Sequence, residues 1–305
     1  MSKIQMSPGV YPNMPFDQYV RIDAVNQSLL HDARSAAHIQ AAMERESDPS
    51  DSMVLGQALH ARILESTTTA ASLIIDGPIN PKTGKPFGAD TIAYADYCAA
   101  NPGKIVLTKD ARTKVDRMTR NIIDHERARS LVAADGMREL TLIWDELVAV
   151  PGGPAMTIQM KARVDHYVPG VLAYDLKTSR NADPEAWSWA LRDFGYHIQD
   201  NVYRRGLKVC FGVDVPFGFL VVENTEPHAV KIYEIDPKPL WPDGPTTADV
   251  ARRDVDRALK MIAACRANKL DRWPGYPETA EIERCSLPWS VLRRYEEELN
   301  TEDQR

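Results

Sequence analysis

Residues 160–203, MKARVDHYVPGVLAYDLKTSRNADPEAWSWALRDFGYHIQDNVY, decide the fold. Two apolar runs rich in Val and Tyr flank Val168-Pro169-Gly170 and read as antiparallel strands joined by a tight turn. Residues 184–191 and 196–210 then show helical spacing. Asp165 lies on the first strand, and Asp175 and Lys177, two apart on the second, point to one face. Gln199 and Tyr203, four apart on the second helix, share a face that looks toward the strand ends.

Working outward, residues 137–150 form a further strand with Glu139 near its start, and 217–224 and 229–236 add two more. Strand-strand-strand-helix-strand preceded by helices predicts a mixed α/β domain with a central sheet flanked by helices. Upstream, residues 8–20 read as an extended arm leading to a short helix. Asn26 or Ser28, and then Ser35, can cap two short helices. A polar loop covers 46–52. From Ser52 follows a helix apolar around most of its circumference, hence buried, carrying Gly56 and His60 on one face; the small glycine allows close approach one turn before the imidazole. A turn-rich segment at 79–88 precedes a helix near 89–100 and a short strand at 105–107. A single long helix over 108–133 is then expected, capped by Thr108, with Val115, Met118, Ile122 and Ile123 on its buried side. The tail reads as a helix over 246–267, a loop, a last short helix after Leu287-Pro288-Trp289 and a charged end. We expect one domain over 1–305, with a helical part at about 11–135, a sheet core at about 136–240 and C-terminal helices at about 246–305.

The chain has 305 residues, 44% hydrophobic and 26% charged, enough to bury a large core. It contains no run long and apolar enough for a membrane span and its start lacks the apolar stretch of a signal peptide, so a cytoplasmic location is expected. Cys98, Cys210, Cys265 and Cys285 are scattered without a C-x-x-C pair, which argues against a zinc ribbon or a disulfide framework. A net charge of −6 does not by itself suggest nucleic-acid binding. Basic residues nevertheless gather at Lys109, Arg112, Lys114, Arg117 and Arg120, and again at Arg204, Arg205 and Lys208. Each cluster is either a solvated helix face or a DNA contact.

If the strands bring Asp165 and Asp175 together, two carboxylates share a small volume, which is costly unless a cation lies between them. Oxygen ligands suit Mg²⁺ or Mn²⁺, and the backbone carbonyl of Leu176 can add another oxygen. His60 would contribute a nitrogen and tilt the site toward tolerating Mn²⁺. The Lys177 ammonium could orient or help deprotonate an attacking water and offset developing negative charge. Asp-x-Lys alone recurs by chance, and a lone His on a buried helix is usually a satisfied core residue. The joint order is more specific: G-x-x-x-H, R-V-D, D-x-K-T, then Q-x-x-x-Y. No Gly-x-Ser-x-Gly elbow or phosphate-cradling glycine loop competes with it.

The order GQALH (56–60), KARVDHYV (161–168), YDLKTS (174–179) and HIQDNVY (197–203) resembles the PD-(D/E)XK nuclease superfamily and, within it, the RecE-like exonucleases, the exonuclease VIII type of phage and prophage recombination systems. The likeness spans roughly 11–292: VNQSLLHDARSAAH resembles the family's opening segment, with Ala36 where the family usually has Pro, and RWPGYPE with SLPW resembles its ending. The resemblance implies a restriction-endonuclease-like core, metal ligation by His60, Asp165, Asp175 and the Leu176 carbonyl, and Lys177 as catalytic lysine. It further implies Gln199 and Tyr203 as supports of the site and of the scissile phosphate. Glu139 matches the family's early strand Glu. The implied activity is Mg²⁺-dependent degradation of linear double-stranded DNA from the 5′ end, with Mn²⁺ tolerated, leaving 3′ single strands for recombination. A ring-shaped homo-oligomer (trimer or tetramer), a single-strand annealing partner and a bacterial host cytoplasm are implied too. The late cysteine group that holds an iron-sulfur cluster in some related nucleases is absent, and no large N-terminal extension precedes the core. The alternatives are a nuclease of the same fold acting on single-stranded or flap DNA, and an inactive DNA-end-binding protein.

Overall fold

The structure, a computed structural model, describes residues 3–31, 33–45, 51–65, 67–276, 285–287, 289, 292 and 293, with Asp51, Thr67 and Thr68 by backbone only. Two units are present, Met1–Trp273 and Pro274–Arg305, and the sheet, its cores and the candidate site all belong to the first. Chain order is β1 (Gly9–Tyr11), α1 (Phe16–Arg21), α2 (Gln27–His31), α3 (Ala36–Glu44), α4 (Asp51–Leu64), α5 (Thr67–Leu73), β2 (Ile74–Asp76), α6 (Ile92–Ala100), β3 (Ile105–Leu107), α7 (Lys109–Asp124), α8 (Glu126–Ala133), β4 (Met137–Val148), β5 (Met156–Val168), β6 (Leu172–Ser179), α9 (Pro184–Asp193), α10 (Tyr196–Phe211), β7 (Phe217–Glu223), β8 (Val230–Glu234) and α11 (Thr247–Ala267).

The mixed α/β class is as expected. A six-stranded sheet runs β1-β4-β5-β6-β7-β8. Its ladders are antiparallel except β6 with β7, which pair in parallel across the α9–α10 crossover, as parallel neighbours require. Leu140, Leu142 and Trp144 of β4, Phe217, Phe219 and Val221 of β7, and helices α2, α3, α10 and α11 enclose one core. Tyr174, Leu176, Leu220 and Val222 pack on the opposite side with α4, α7 and α8. Gly206 lets α10 lie directly on the sheet, because a Cβ there would come 2.7 Å from the Trp144 ring. The second unit and the expected terminal helix lie largely outside the described residues, as does most of the polar loop at 46–52 and of the charged tail.

Asn26 and Thr108 cap as expected; Ser35 stands at the N-cap of α3, but its side chain makes no capping bond and its Oγ lies 2.7 Å from His38 Nδ1. Asn26 Oδ1 accepts from the Leu29 N–H at 3.2 Å, Thr108 Oγ1 from Ala111, and Thr246 forms a capping box with Asp249. Two further expectations are corrected. The helix over 108–133 is broken: His125 takes an extended conformation (φ −77°, ψ 110°) and its Nδ1 accepts from the Ala128 N–H, ending α7 and capping α8. Ile123 does not join the buried side but is 40% exposed, since it lies off the Val115–Met118–Ile122 stripe. Helix α5 and strand β2 have no counterpart in the sequence reading; β2 pairs in parallel with β3.

The feature that positions the site is a splay. β5 pairs with β4 along its length, but with β6 only through His166↔Tyr174, Tyr167↔Ala173 and Val168↔Leu172. Val164 and Tyr167, three apart, both enter the same core, so the alternation of β5 slips once between them. Opposite the slip, Glu139 has φ +50°, a left-handed conformation that costs a non-glycine residue about 1–2 kcal/mol. Backbone groups of β6 freed by the splay need other partners.

Candidate active site

Those partners are the predicted site residues. Leu176 donates its N–H to Asp165 Oδ2 at 2.7 Å, and its carbonyl lies 2.7 Å from His60 Nε2 on α4. His60 Nδ1 is 3.4 Å from the same Asp165 oxygen. Its two ring nitrogens thus face the Leu176 carbonyl and the Asp165 carboxyl. Burial alone would lower the His60 pKa, but Asp165, Asp175 and Glu139 outweigh it and raise it above the ordinary value. Burial, then the nearby Asp175, raises the Asp165 carboxyl far above the usual carboxylate range, as expected of carboxylates crowded into one buried volume.

Asp175 is buried and fixed from two sides. Gln199 Nε2 of α10 donates to its Oδ1 at 2.6 Å, and Lys177 Nζ stands 2.5 Å from its Oδ2. The Lys177 ammonium also lies over the Tyr196 ring, 4.9 Å from its centroid. Burial would lower the Lys177 pKa, yet Asp175, Tyr196 and Asp165 hold it above its ordinary value. Tyr203 is buried against Phe217, its phenol pushed well up by burial and then by Asp175. The Gln199 and Tyr203 face therefore meets the middle of β6 and the start of β7.

Glu139 belongs to the cluster. One ligand atom each of His60, Glu139 and Asp165 lie within 4.8 Å of one another. Arg163 holds the Glu139 carboxylate, Nε to Oε2 at 2.6 Å, while its Nη1 donates to the Met14 carbonyl at 2.6 Å. Asp175 stands beside this trio, engaged by Lys177 and Gln199. Two carboxylates, an imidazole and the Leu176 carbonyl on one spot suit a divalent cation with oxygen and nitrogen ligands, so the residues present fit such an ion.

The approach of α4 differs from expectation. A Cβ at Gly56 would meet only Thr178 Oγ1, at 3.9 Å, so the close packing does not require glycine. Tyr196 escaped the sequence reading, although it precedes Gln199 by three residues and so shares its helix face. His166 has its Nδ1 3.0 Å from the Tyr174 hydroxyl on the far side of β5, and His197 Nδ1 lies 2.8 Å from the Leu191 carbonyl. Asp193 pairs with its neighbour Arg192.

The basic residues are spread elsewhere and mostly neutralised. Arg112 pairs with Asp76 at 2.7 Å, Arg204 with Asp214 at 3.5 Å and Arg205 with Asp256 at 2.7 Å. Arg117 pairs with Glu226, Lys208 with Asp214, and Lys114 is exposed.

A family described as a PDDEXK-like domain of unknown function, DUF3799, matches residues 21–286. No curated protein matches the sequence. Among solved structures, that of a Eubacterium rectale protein, provisionally assigned as an exonuclease, is 13% identical over 91% of this chain and 95% of that chain, with a TM-score of 0.55. This similarity is one of fold. A second, SSO0001, is 12% identical over 76% of this chain and 83% of that one, with a TM-score of 0.27, too low to argue from.

Proposed function

This chain belongs to the DUF3799 family of PDDEXK-like domains, and from that premise we propose that it is a Mg²⁺-dependent exodeoxyribonuclease that degrades linear double-stranded DNA. The proposed direction is 5′ to 3′, leaving 3′ single strands for recombination by annealing. One observation carries the reading: Lys177 and the buried Asp175 stand beside the partly buried cluster of His60, Glu139 and Asp165, the donor set and ammonium that phosphodiester hydrolysis needs.

His60, Glu139, Asp165 and the Leu176 carbonyl would hold the cation, with Asp175 beside them; when bound, it supplies Lewis acidity and a more acidic water. Lys177, an ammonium held between Asp175 and the Tyr196 ring, orients the attacking water by donating to it and offsets negative charge developing on the phosphate. Gln199 fixes the Asp175 carboxylate so that Lys177 is aimed rather than free. Arg163 holds Glu139 in its left-handed conformation. Mn²⁺ is expected to replace Mg²⁺, because an imidazole ligand suits it.

The proposal includes a ring-shaped homo-oligomer and a single-strand annealing protein as partner. Arg112, Arg117, Arg204 and Arg205, each paired with a carboxylate, and the exposed Lys114 are the proposed DNA contacts. The test compares 5′-labelled linear duplex, nicked circle, closed circle and single strand. Labelled mononucleotides released first from linear duplex support the reading. Rapid cutting of closed circles removes the exonuclease, and cutting of single strands alone replaces the duplex substrate with an unpaired one.

A further inference from the structure

The turn between α9 and α10 carries an exposed ring. Phe194 is 62% exposed, and its ring centroid lies 5.6 Å from that of Tyr196. Tyr196 in turn faces the Lys177 ammonium at 4.9 Å. Behind Tyr196 the support is rigid: Trp187 stacks on it at 5.2 Å, Phe219 packs at 5.6 Å, and Trp187 also stacks on Tyr233 at 5.4 Å. A single exposed apolar side chain is ordinary, but this one continues an aromatic path that starts at the proposed reacting centre.

The turn is also fixed in place. Phe194 N–H donates to the Ala190 carbonyl at 3.0 Å and Gly195 N–H to that of Arg192 at 3.3 Å. Gly195 has φ +66°, and a Cβ on it would fall 2.5 Å from the His31 ring of α2, so this position takes glycine alone. The Phe194 ring is therefore presented to solvent by a backbone with little freedom to move, at little further ordering cost on binding. On the preceding turn of α9, Trp189 is 53% exposed with the Arg192 guanidinium 4.7 Å from its ring centre, a cation–aromatic pair of the kind that lines single-strand paths.

We infer that Phe194, backed by Tyr196, is a stacking step for the unpaired nucleobase next to the phosphate held at Lys177. This rests on the nuclease reading and deepens it. The strand end is opened at the site, and the freed base lies on Phe194 while its phosphate meets Lys177. Every base has a π face, so the step is indifferent to sequence, and it favours ends that are already frayed, where less pairing must be broken.

The test walks one abasic residue along the degraded strand of a linear duplex and compares wild type with Phe194→Ala and Phe194→Tyr. For wild type, KM is expected to rise about tenfold or more when the missing base is the one that stacks, with kcat within about threefold. Phe194→Ala should show that higher KM on intact DNA and no further penalty from the abasic residue; Phe194→Tyr should restore the wild-type pattern. If wild type cuts DNA but Phe194→Ala keeps the same abasic profile, the stacking step is overturned and the nuclease reading stands. If wild type cuts no DNA substrate, both fall. A melting curve for each variant confirms folding, and the exposure of Phe194 makes an unchanged Tm the expected result.

Discussion

Two lysines sixteen positions apart, Lys161 on β5 and Lys177 on β6, separate what supports the sheet from what does chemistry on it. Lys161 is buried and its Nζ donates to the carbonyls of Tyr19 at 3.0 Å, Val20 at 3.4 Å and Ile22 at 2.8 Å, satisfying the C-terminal end of α1. Burial lowers its pKa to about 8. Lys177 meets a carboxylate and an aromatic face instead and keeps its ammonium above the ordinary value. Both are cations out of bulk water. The one whose protons are spent on backbone carbonyls holds structure together, and the one paired with a carboxylate beside a donor cluster is available to a substrate.

That contrast breaks most sharply under substitution. Lys177→Ala, or Asp175→Ala, should reduce DNA cleavage by about 10³-fold or more with a melting temperature near that of wild type, checked by a nuclease assay beside thermal unfolding. Lys161→Met should do the reverse. It leaves buried carbonyls without donors, costs about 2–4 kcal/mol, and lowers Tm while cleavage per folded molecule stays close to wild type below the transition. A large activity loss in well-folded Lys161→Met would erase the distinction.

Much of this was legible in the chain. Alternating apolar residues gave the strands, Asn26, Thr108 and Thr246 gave helix starts, and the two-residue and four-residue spacings put Asp175 with Lys177 and Gln199 with Tyr203. The splay was not legible, because it depends on where a ladder stops. Asp165 and Asp175 could be placed near each other, but not the capture of the Leu176 N–H and carbonyl by Asp165 and His60. Nor could spacing show that Glu139 has a positive φ and is held by Arg163. The break at His125 escaped because a histidine cap gives no strong local signal, and the ion pairs of the basic clusters escaped because their carboxylates, Asp76, Glu226 and Asp256, are distant in sequence.

Arg163 joins the two regions, since one guanidinium serves the Met14 carbonyl and Glu139 together. Arg163→Lys keeps the charge and loses the fork. Cleavage should fall about tenfold and stability by about 1 kcal/mol, and a fall in only one of the two would assign Arg163 to that region alone. The smallest effect belongs to Asp200 on α10, a buried carboxyl serving neither region, whose Oδ1 has no hydrogen-bond partner among the described residues. Burial raises its pKa from 3.8 to about 6. The fold therefore holds a proton there that the unfolded chain releases, so the contribution of Asp200 to stability is lost as pH rises from about 4 through 6. Asp200→Asn should raise stability at pH 8 by about 1–3 kcal/mol, with the gain fading toward pH 4, as followed by melting at several pH values.

The most direct measurement is digestion of a 5′-end-labelled linear duplex by wild type and by Lys177→Ala, each with Mg²⁺, Mn²⁺ or EDTA. Label release by wild type with either metal, abolished by EDTA and by the substitution, is the predicted result. Release that persists in EDTA, or in folded Lys177→Ala at the wild-type rate, would contradict a metal-dependent site built on Lys177.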